Sequence, residues 1–546
     1  MASYNEKDYK ETPSAPDYSI ERTQSNDIVA QDNAAQTSQL QRNLGNRQIQ
    51  LMAVGGSVGS AVFVTIGAGL VYGGPASLLL AFTLYSTIVG LVNNCMAEMA
   101  VQYPVPGGFV RMAGHWVDEA LGFMISALNV VLKFWRDDIP VAAVVSTCIV
   151  LYGVINVGAV KWFGEAEFWL SMAKVTLFLI VFFFTFITMI GGNPECDAYG
   201  FRYWINPGAF AEHIHSGVLG RFEGFLGSLW VAAFTCVGPE YVSMIAGESK
   251  LPRVYLKNAF ETAYFRFGVF FILLSLCVGI VLPYDNFALM SLVRKGEAHD
   301  TGAASPFIIA MVNLKIGIIP HIVNGLLVSS IFSGGNTSTF YGTRCLYSLA
   351  LEGQAPKFLL KCTSFGLPVY CLVIFMIFPC LAFLAVSNDS NIVLIWLTHI
   401  ITAAQIIDHI VISITFIFFY RACKAQGFDR KKLPYRGRFQ PYSAYISGIF
   451  LTCVVLCYGY NILLPGYFTT IGLFTHYTML FVAPVTFLCW KIAKKTKYIR
   501  ASEADLVWEK PQIDAYEAAF KEVPVGFRTE VAQMFGFRKD KRIDKA

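Results

Sequence analysis

Apolar residues in this chain come in blocks about 20 long, divided by short polar turns, and no other feature restricts the fold as much. A helix needs roughly 20 apolar residues to cross a hydrocarbon core about 30 Å thick. Spans are expected near 48–72, 75–100, 118–135, 139–160, 167–190, 222–245, 262–282, 316–350, 367–386, 391–420, 442–464 and 469–490. Twelve crossings return both ends to one side. The expected class is an all-α polytopic membrane protein of about 12 transmembrane helices, with the lipid bilayer as its surroundings. Composition agrees, since 55% of the 546 residues are hydrophobic and only 14% are charged, which excludes an ordinary cytosolic enzyme. Nor do paired carboxylates, a Ser/His arrangement or metal-ligand spacing point to an enzyme within the membrane.

Lysine and arginine in the short loops set the orientation. The loop after the tenth span carries Arg421, Lys424, Arg430, Lys431, Lys432, Arg436 and Arg438, whereas the connection at 464–469 carries neither residue type. The basic loop is expected in the cytosol, together with Lys250, Arg253, Lys257, Lys357, Lys361 and both termini. Residues 1–46, rich in Ser, Asp, Gln and Asn, are expected to form a disordered cytosolic tail without the pattern of a secretory signal peptide. Residues 47–498 form the membrane domain and 499–546 a cytosolic C-terminal tail, in which 502–521 has weak amphipathic spacing. The net charge of +5 is too scattered for a nucleic-acid surface. Thirteen cysteines without a C-x-x-C pair argue against zinc and against a disulfide framework.

Two spans are interrupted. The first holds Gly55, Gly56, Ser57, Val58, Gly59 and Ser60 in its interior, a run that weakens a helix. Gly55 and Gly59 are also a G-x-x-x-G pair, which close helix packing alone would explain. The sixth holds Phe234, Thr235, Cys236, Val237, Gly238, Pro239 and Glu240, where Pro239 alone could produce a kink. The breaks lie five spans apart, the separation at which two inverted five-helix repeats each supply one broken helix to a midplane site. Half-helix N–H groups favour a carboxylate and freed carbonyls an ammonium, so an amino acid suits both.

Ionisable residues inside spans are costly and are suspected of function. Glu98 ends the second span, Lys174 lies in the fifth, Glu240 follows the second break, and Asp408 with His409 lies in the tenth. Lys174 and Glu240 are the strongest candidates, because a lysine can replace a bound sodium ion and a buried carboxylate can carry a proton. A structural ion pair or a snorkelled end is the competing reading for each. His399 and His409 read as packed or hydrogen-bonded, and His213 with His215 lacks the further ligands of a metal site. No cofactor is implied.

These residues also carry a pattern: RQIQLMAVGGSVGSAVFVTIGAGL, GGPASLLLAF, AEMAVQYPVPGGF, FGEAEFWLSMAKV, AGESKLPR and SSIFSGGNTSTFYGTRCLYSLALEGQAPK. From about Arg47 to Tyr498 the chain closely resembles the fungal amino-acid permease family of the amino acid, polyamine and organocation superfamily. VNNCMAEMAVQYPVPGG and LKFWRDDIPVA look most like its dicarboxylic branch, which takes up glutamate and aspartate. The resemblance implies a LeuT-like 5+5 inverted repeat plus two helices, alternating access, and proton-coupled import at the plasma membrane. It places Ser57, Gly59 and Ser60 at the substrate α-carboxylate, and Phe234, Thr235, Val237 and Gly238 with Glu240 around the α-amino group. Lys174 falls on the family's fifth-helix lysine, and Lys174, Glu240 and Glu98 are the proton-coupling candidates. Pro239 and Asp408 depart from the family pattern, which has a small residue and asparagine there. Lys7 and Lys10 become candidates for ubiquitin ligation.

The third span is short. Ala120 to Trp135 reaches about 24 Å at 1.5 Å per residue and is crossed by Lys133, whereas its repeat partner, the eighth span, is much longer. About fifteen residues are missing by this geometry and by the resemblance. A mis-spliced gene model giving a transport-defective product, or a natural deletion, would account for them. A permease-like sensor that binds amino acids without carrying them is the other alternative to an importer.

Overall fold

The computed structural model describes residues 40–520 except 58, 60, 133–141, 158–159, 296–304, 378–389, 465–467 and 469. Among the described residues the regular structure is helical, with two isolated β-bridges. Helices satisfy their own backbone hydrogen bonds, which a chain in hydrocarbon requires.

The first half contains α1 (Asn46–Ser57), α2 (Ile66–Gln102), α3 (Gly108–Trp116), α4 (Glu119–Leu132), α5 (Ala142–Val157) and α6 (Val160–Met189). The second contains α7 (Val218–Thr235), α8 (Pro239–Met244), α9 (Pro252–Val281), α10 (Ile319–Leu351), α11 (Val369–Phe375) and α12 (Ser390–Ala425). Then follow α13 (Tyr442–Cys457), α14 (Thr470–Lys494) and, in the C-terminal tail, α15 (Lys510–Ala519). Helix α2 joins two crossings at Gly74, whose positive φ of 76° a side chain would not tolerate beside the backbone of Ala211. Among the described residues, six helices are both long and apolar enough to cross a bilayer. The other expected spans are broken, as α1 is, or short, as α5 and α13 are at 16 residues each, or border residues outside the described set.

Several helices outrun the spans expected from hydropathy. Helix α9 starts at Pro252 rather than near 262, and α6 at Val160 rather than 167. Hydropathy marks only the part of a helix that lies in hydrocarbon, while backbone hydrogen bonding continues into polar residues such as Lys257 and Glu261. Within α9, Phe267–Leu273 is a π segment, a local widening that recurs at functional sites. Helix α4 has 14 residues, about 21 Å. Lys133 and Trp135 lie outside the described residues.

The two halves of the chain meet where α7 packs along the start of α2. Ser228 Oγ donates to the Gly69 carbonyl at 2.8 Å, and a Cβ on Gly224 would lie 2.4 Å from the Tyr72 carbonyl oxygen. Small residues thus let the backbones touch, which is how helices bind each other where no hydrophobic force separates them from lipid. At the face bearing the basic loops, Gly107 and Gly108 have positive φ of 79° and 43°. Any Cβ there would strike Ser348 of α10 or Ser243 of α8, so this pair of glycines seats α3 against both helices.

The weakly amphipathic tail forms α15, and the stretch before it lies across the same face. Tyr103 Oη donates to Leu506 O at 2.6 Å, Gln426 Nε2 to Ala504 O at 2.6 Å, and Trp508 stacks on His115 at 4.1 Å. Arg111 bridges Glu352 and Glu509 at 2.5 and 2.6 Å. Arg253 holds Asp514 and Glu517 at 2.5 and 3.2 Å, and Arg42 lies over the Tyr516 ring.

Candidate functional site

Helix α1 ends at Ser57, and the chain is non-helical at Gly59 before a short helix at Ala61–Val64. Val58 and Ser60 lie outside the described residues. In a continuous helix the Gly55 carbonyl would accept from the N–H of residue 59, and the break leaves it to other donors. Lys174 Nζ donates to it at 2.8 Å, and the lysine is fully buried. The Ser57 hydroxyl turns back to Ala53 O at 2.7 Å.

The second break falls between Thr235, the last residue of α7, and Pro239, the first of α8. Proline suits that position, having no N–H to orphan and a φ already set for a helix. Glu240 follows in the first turn, where the helix dipole favours a carboxylate, and accepts from the Gly238 N–H at 3.3 Å. Thr235 Oγ1 donates to Val231 O at 2.9 Å, Phe234 is half-buried, and Val237 is buried. The two breaks face each other: a Cβ on Gly238 would lie 3.4 Å from the Cβ of Ser57.

Three further buried side chains join this centre, of which only His409 stands among the ionisable residues singled out in the sequence. Glu167 lies two turns before Lys174 on α6 and accepts from Ser333 and, at 3.4 Å, from Asn336 of α10. Its Oε1 would be 2.5 Å from a Cβ on Gly55, so the glycine admits the carboxylate to α1. The i to i+7 spacing with Lys174 was the available signal. His409 Nε2 and Glu240 Oε2 are 3.1 Å apart, both side chains fully enclosed between α8 and α12. Arg266, beside the π segment of α9, is 4% exposed. No sequence periodicity links either residue to the breaks.

Glu98 sits elsewhere. It closes on Arg430 through two hydrogen bonds of 2.7 and 2.8 Å and accepts from Gly437 N, a clasp between α2 and the basic loop rather than a part of the break region. His215 pairs with Glu223 at 2.7 Å. Among the described residues there is no group of three or more His, Cys, Asp or Glu able to hold a metal ion.

This arrangement, two opposed half-helix ends with buried charge beside them, accompanies a family match over most of the chain: the amino acid permease model spans residues 48–501. The chain belongs to the amino acid permease family. Among relatives, the general amino acid permease AGP2 of Saccharomyces cerevisiae is 38% identical over 505 residues, covering 88% of this permease and 84% of the relative. The dicarboxylic amino acid permease of the same yeast is 32% identical, covering 89% and 83%. The proline-specific permease of Emericella nidulans is 31% identical, covering 87% and 89%. The permease is a multi-pass membrane protein for amino-acid transport, not an enzyme.

Proposed function

We propose that the permease imports acidic amino acids, glutamate and aspartate, across the plasma membrane by proton-coupled alternating access. The observation that carries this reading is Lys174 on the Gly55 carbonyl at the first break, directly opposite the second. The orphaned carbonyl that could ligate a cation is served instead by a side chain that can itself gain or lose a proton. Backbone at Ser57, Gly59 and 236–238 would then face the zwitterionic end of the substrate, with Ser57 and Gly59 at its carboxylate, where the resemblance also puts Ser60, and Phe234, Thr235, Val237 and Gly238 near its ammonium. Glu240 with His409 offers a second proton-binding pair beside the ammonium subsite. The resemblance of VNNCMAEMAVQYPVPGG and LKFWRDDIPVA to the dicarboxylic branch is what favours acidic substrates. The basic loops favour cytosolic termini, and on that reading Lys7 and Lys10 are the candidates for ubiquitin ligation.

Uptake of labelled glutamate into permease-deficient yeast tests the proposal, at acid and neutral pH, with and without a protonophore, while fluorescence locates the protein. Uptake that rises at acid pH and collapses with the protonophore is expected. Surface protein that binds glutamate without carrying it would replace the importer with a sensor. The short third span expected from the sequence adds one further outcome, retention in the endoplasmic reticulum, relieved by restoring the absent segment.

A further inference from the structure

We infer that Arg266 and Tyr341 form an anion station one layer below the helix breaks, which takes the side-chain carboxylate of an acidic substrate on its way to the basic face. The inference rests on the proposed reading of this permease as an importer of acidic amino acids. Arg266 Nη2 donates to Ala259 O at 2.9 Å, seven residues earlier in α9, so the side chain runs back along its helix toward the basic face. Its Nε and Nη1 have no hydrogen-bond partner among the described residues, and neither has the hydroxyl of Tyr341, which is 1% exposed. Tyr341 lies within electrostatic reach of the guanidinium, as it does of Glu167 and Glu240 at the breaks.

The station is continuous with the break region. The Tyr341 ring packs on Tyr241 at 4.8 Å, and a Cβ on Gly56 would lie 3.0 Å from the Cβ of Tyr241. Phe267, next to Arg266, lies against Gly238, 3.4 Å from where its Cβ would be. The first break thus leads by way of Tyr241 to Tyr341, and the second leads by way of Phe267 to the neighbouring Arg266.

Charge matching makes Arg266 stand out. Other buried carboxylates of the core have partners of their own: Glu98 with Arg430, Glu240 with His409, Glu248 with Arg344 and Glu167 with Ser333 and Asn336. A guanidinium enclosed without a counter-ion is unfavourable, and the imbalance is relieved by an anion that can accept from two N–H groups at once. A carboxylate has the planar two-oxygen geometry for that fork, and the Tyr341 hydroxyl adds a third donor. A neutral side chain gains nothing there, and a cationic one is repelled.

The test measures uptake of glutamate and of glutamine, its neutral isostere, by the full-length permease in proteoliposomes. The variants are Arg266→Gln, Arg266→Lys and Tyr341→Phe. Arg266→Gln is expected to lower the glutamate-to-glutamine ratio of kcat/KM by about tenfold or more, with Arg266→Lys restoring part of it. Tyr341→Phe is expected to lower the ratio by a smaller factor. A ratio unchanged in Arg266→Gln, with both substrates slowed alike, would show a packing role and overturn the station. If Arg266→Gln does not yield monodisperse protein, Arg266→Lys and Tyr341→Phe decide by the same ratio. A wild-type permease that carries glutamine but no glutamate overturns the acidic-substrate reading itself, and with it the ligand assigned here.

Discussion

Replacing Lys174 by methionine keeps the length and apolar stem of the side chain and removes the ammonium that donates to Gly55 O at 2.8 Å in a fully buried site. A hydrogen bond to a charged group contributes about 1.5–3 kcal/mol, and the carbonyl left behind has lost its own helical partner at the break. If that interaction is made and broken during the cycle, its loss slows turnover by roughly 10- to 150-fold, at 1.36 kcal/mol for each factor of ten. The assay is initial-rate glutamate uptake into proteoliposomes that are acidic outside, compared with vesicles lacking a pH gradient. Lys174→Met is expected to lose both the rate and its stimulation by the gradient, while Lys174→Arg keeps a charge at the carbonyl and retains part of each. Wild-type stimulation in Lys174→Met would refute the coupling argument. A lowered melting temperature with an unchanged stimulation ratio would reduce Lys174 to a brace for α1.

His409→Ala leaves Glu240 enclosed without its partner, and breaking a buried pair costs about 3–5 kcal/mol, so detergent-solubilised protein should melt markedly earlier; His409→Gln, which can still hydrogen-bond, should recover much of the loss. Gly107→Ala would place a Cβ 2.2 Å from the Cβ of Ser348 at a φ of 79°, and should lower stability by about 1–3 kcal/mol in a thermal melt, with Ser348→Gly as a partial suppressor. In the tail, burial pushes the Asp514 carboxyl up, but Arg253 and Lys510 outweigh it and hold the group below its ordinary value. Its stabilisation is therefore complete above the usual carboxylate range and lost as pH falls through that lowered value. Protease resistance of 498–520 should stay level from neutral pH down to about 4 and fall only below it. Transcripts sequenced across Phe123 to Val130 should contain the segment missing from α4, and an intact message for the short form would exclude mis-splicing.

Much of the scaffold was legible because the bilayer enforces it: apolar blocks gave the helices, and glycines with a proline marked where two of them break. The facing of those breaks was legible only through repeat symmetry, since Ser57 and Gly238 are far apart in the chain. Periodicity places a residue on one face of one helix but does not say what stands opposite. His409 was readable as a buried hydrogen-bonded histidine, yet nothing in α12 named Glu240 as its partner. Glu167 hid inside a motif whose lysine drew the attention, and only its serine and asparagine contacts to α10 show it in the same cluster. Helix ends were misjudged in α6 and α9 because polar turns prolong helices beyond the hydrocarbon.

The tail crossing the basic face joins pieces that lie before α1, after α8 and within α3, through Arg42, Arg253 and Arg111. If alternating access opens that face by moving α1 and α8 away from their neighbours, tail contacts made only in the closed arrangement would weight the equilibrium against the open one. A bias of about 1.4 kcal/mol lowers the open population tenfold and weakens apparent substrate affinity on that side by the same factor. Such a bias cannot alter the final accumulation ratio, which depends on the driving gradient and the stoichiometry alone. Under the proposed import, tail contacts of that kind would set how much internal amino acid the permease tolerates before its own product slows it.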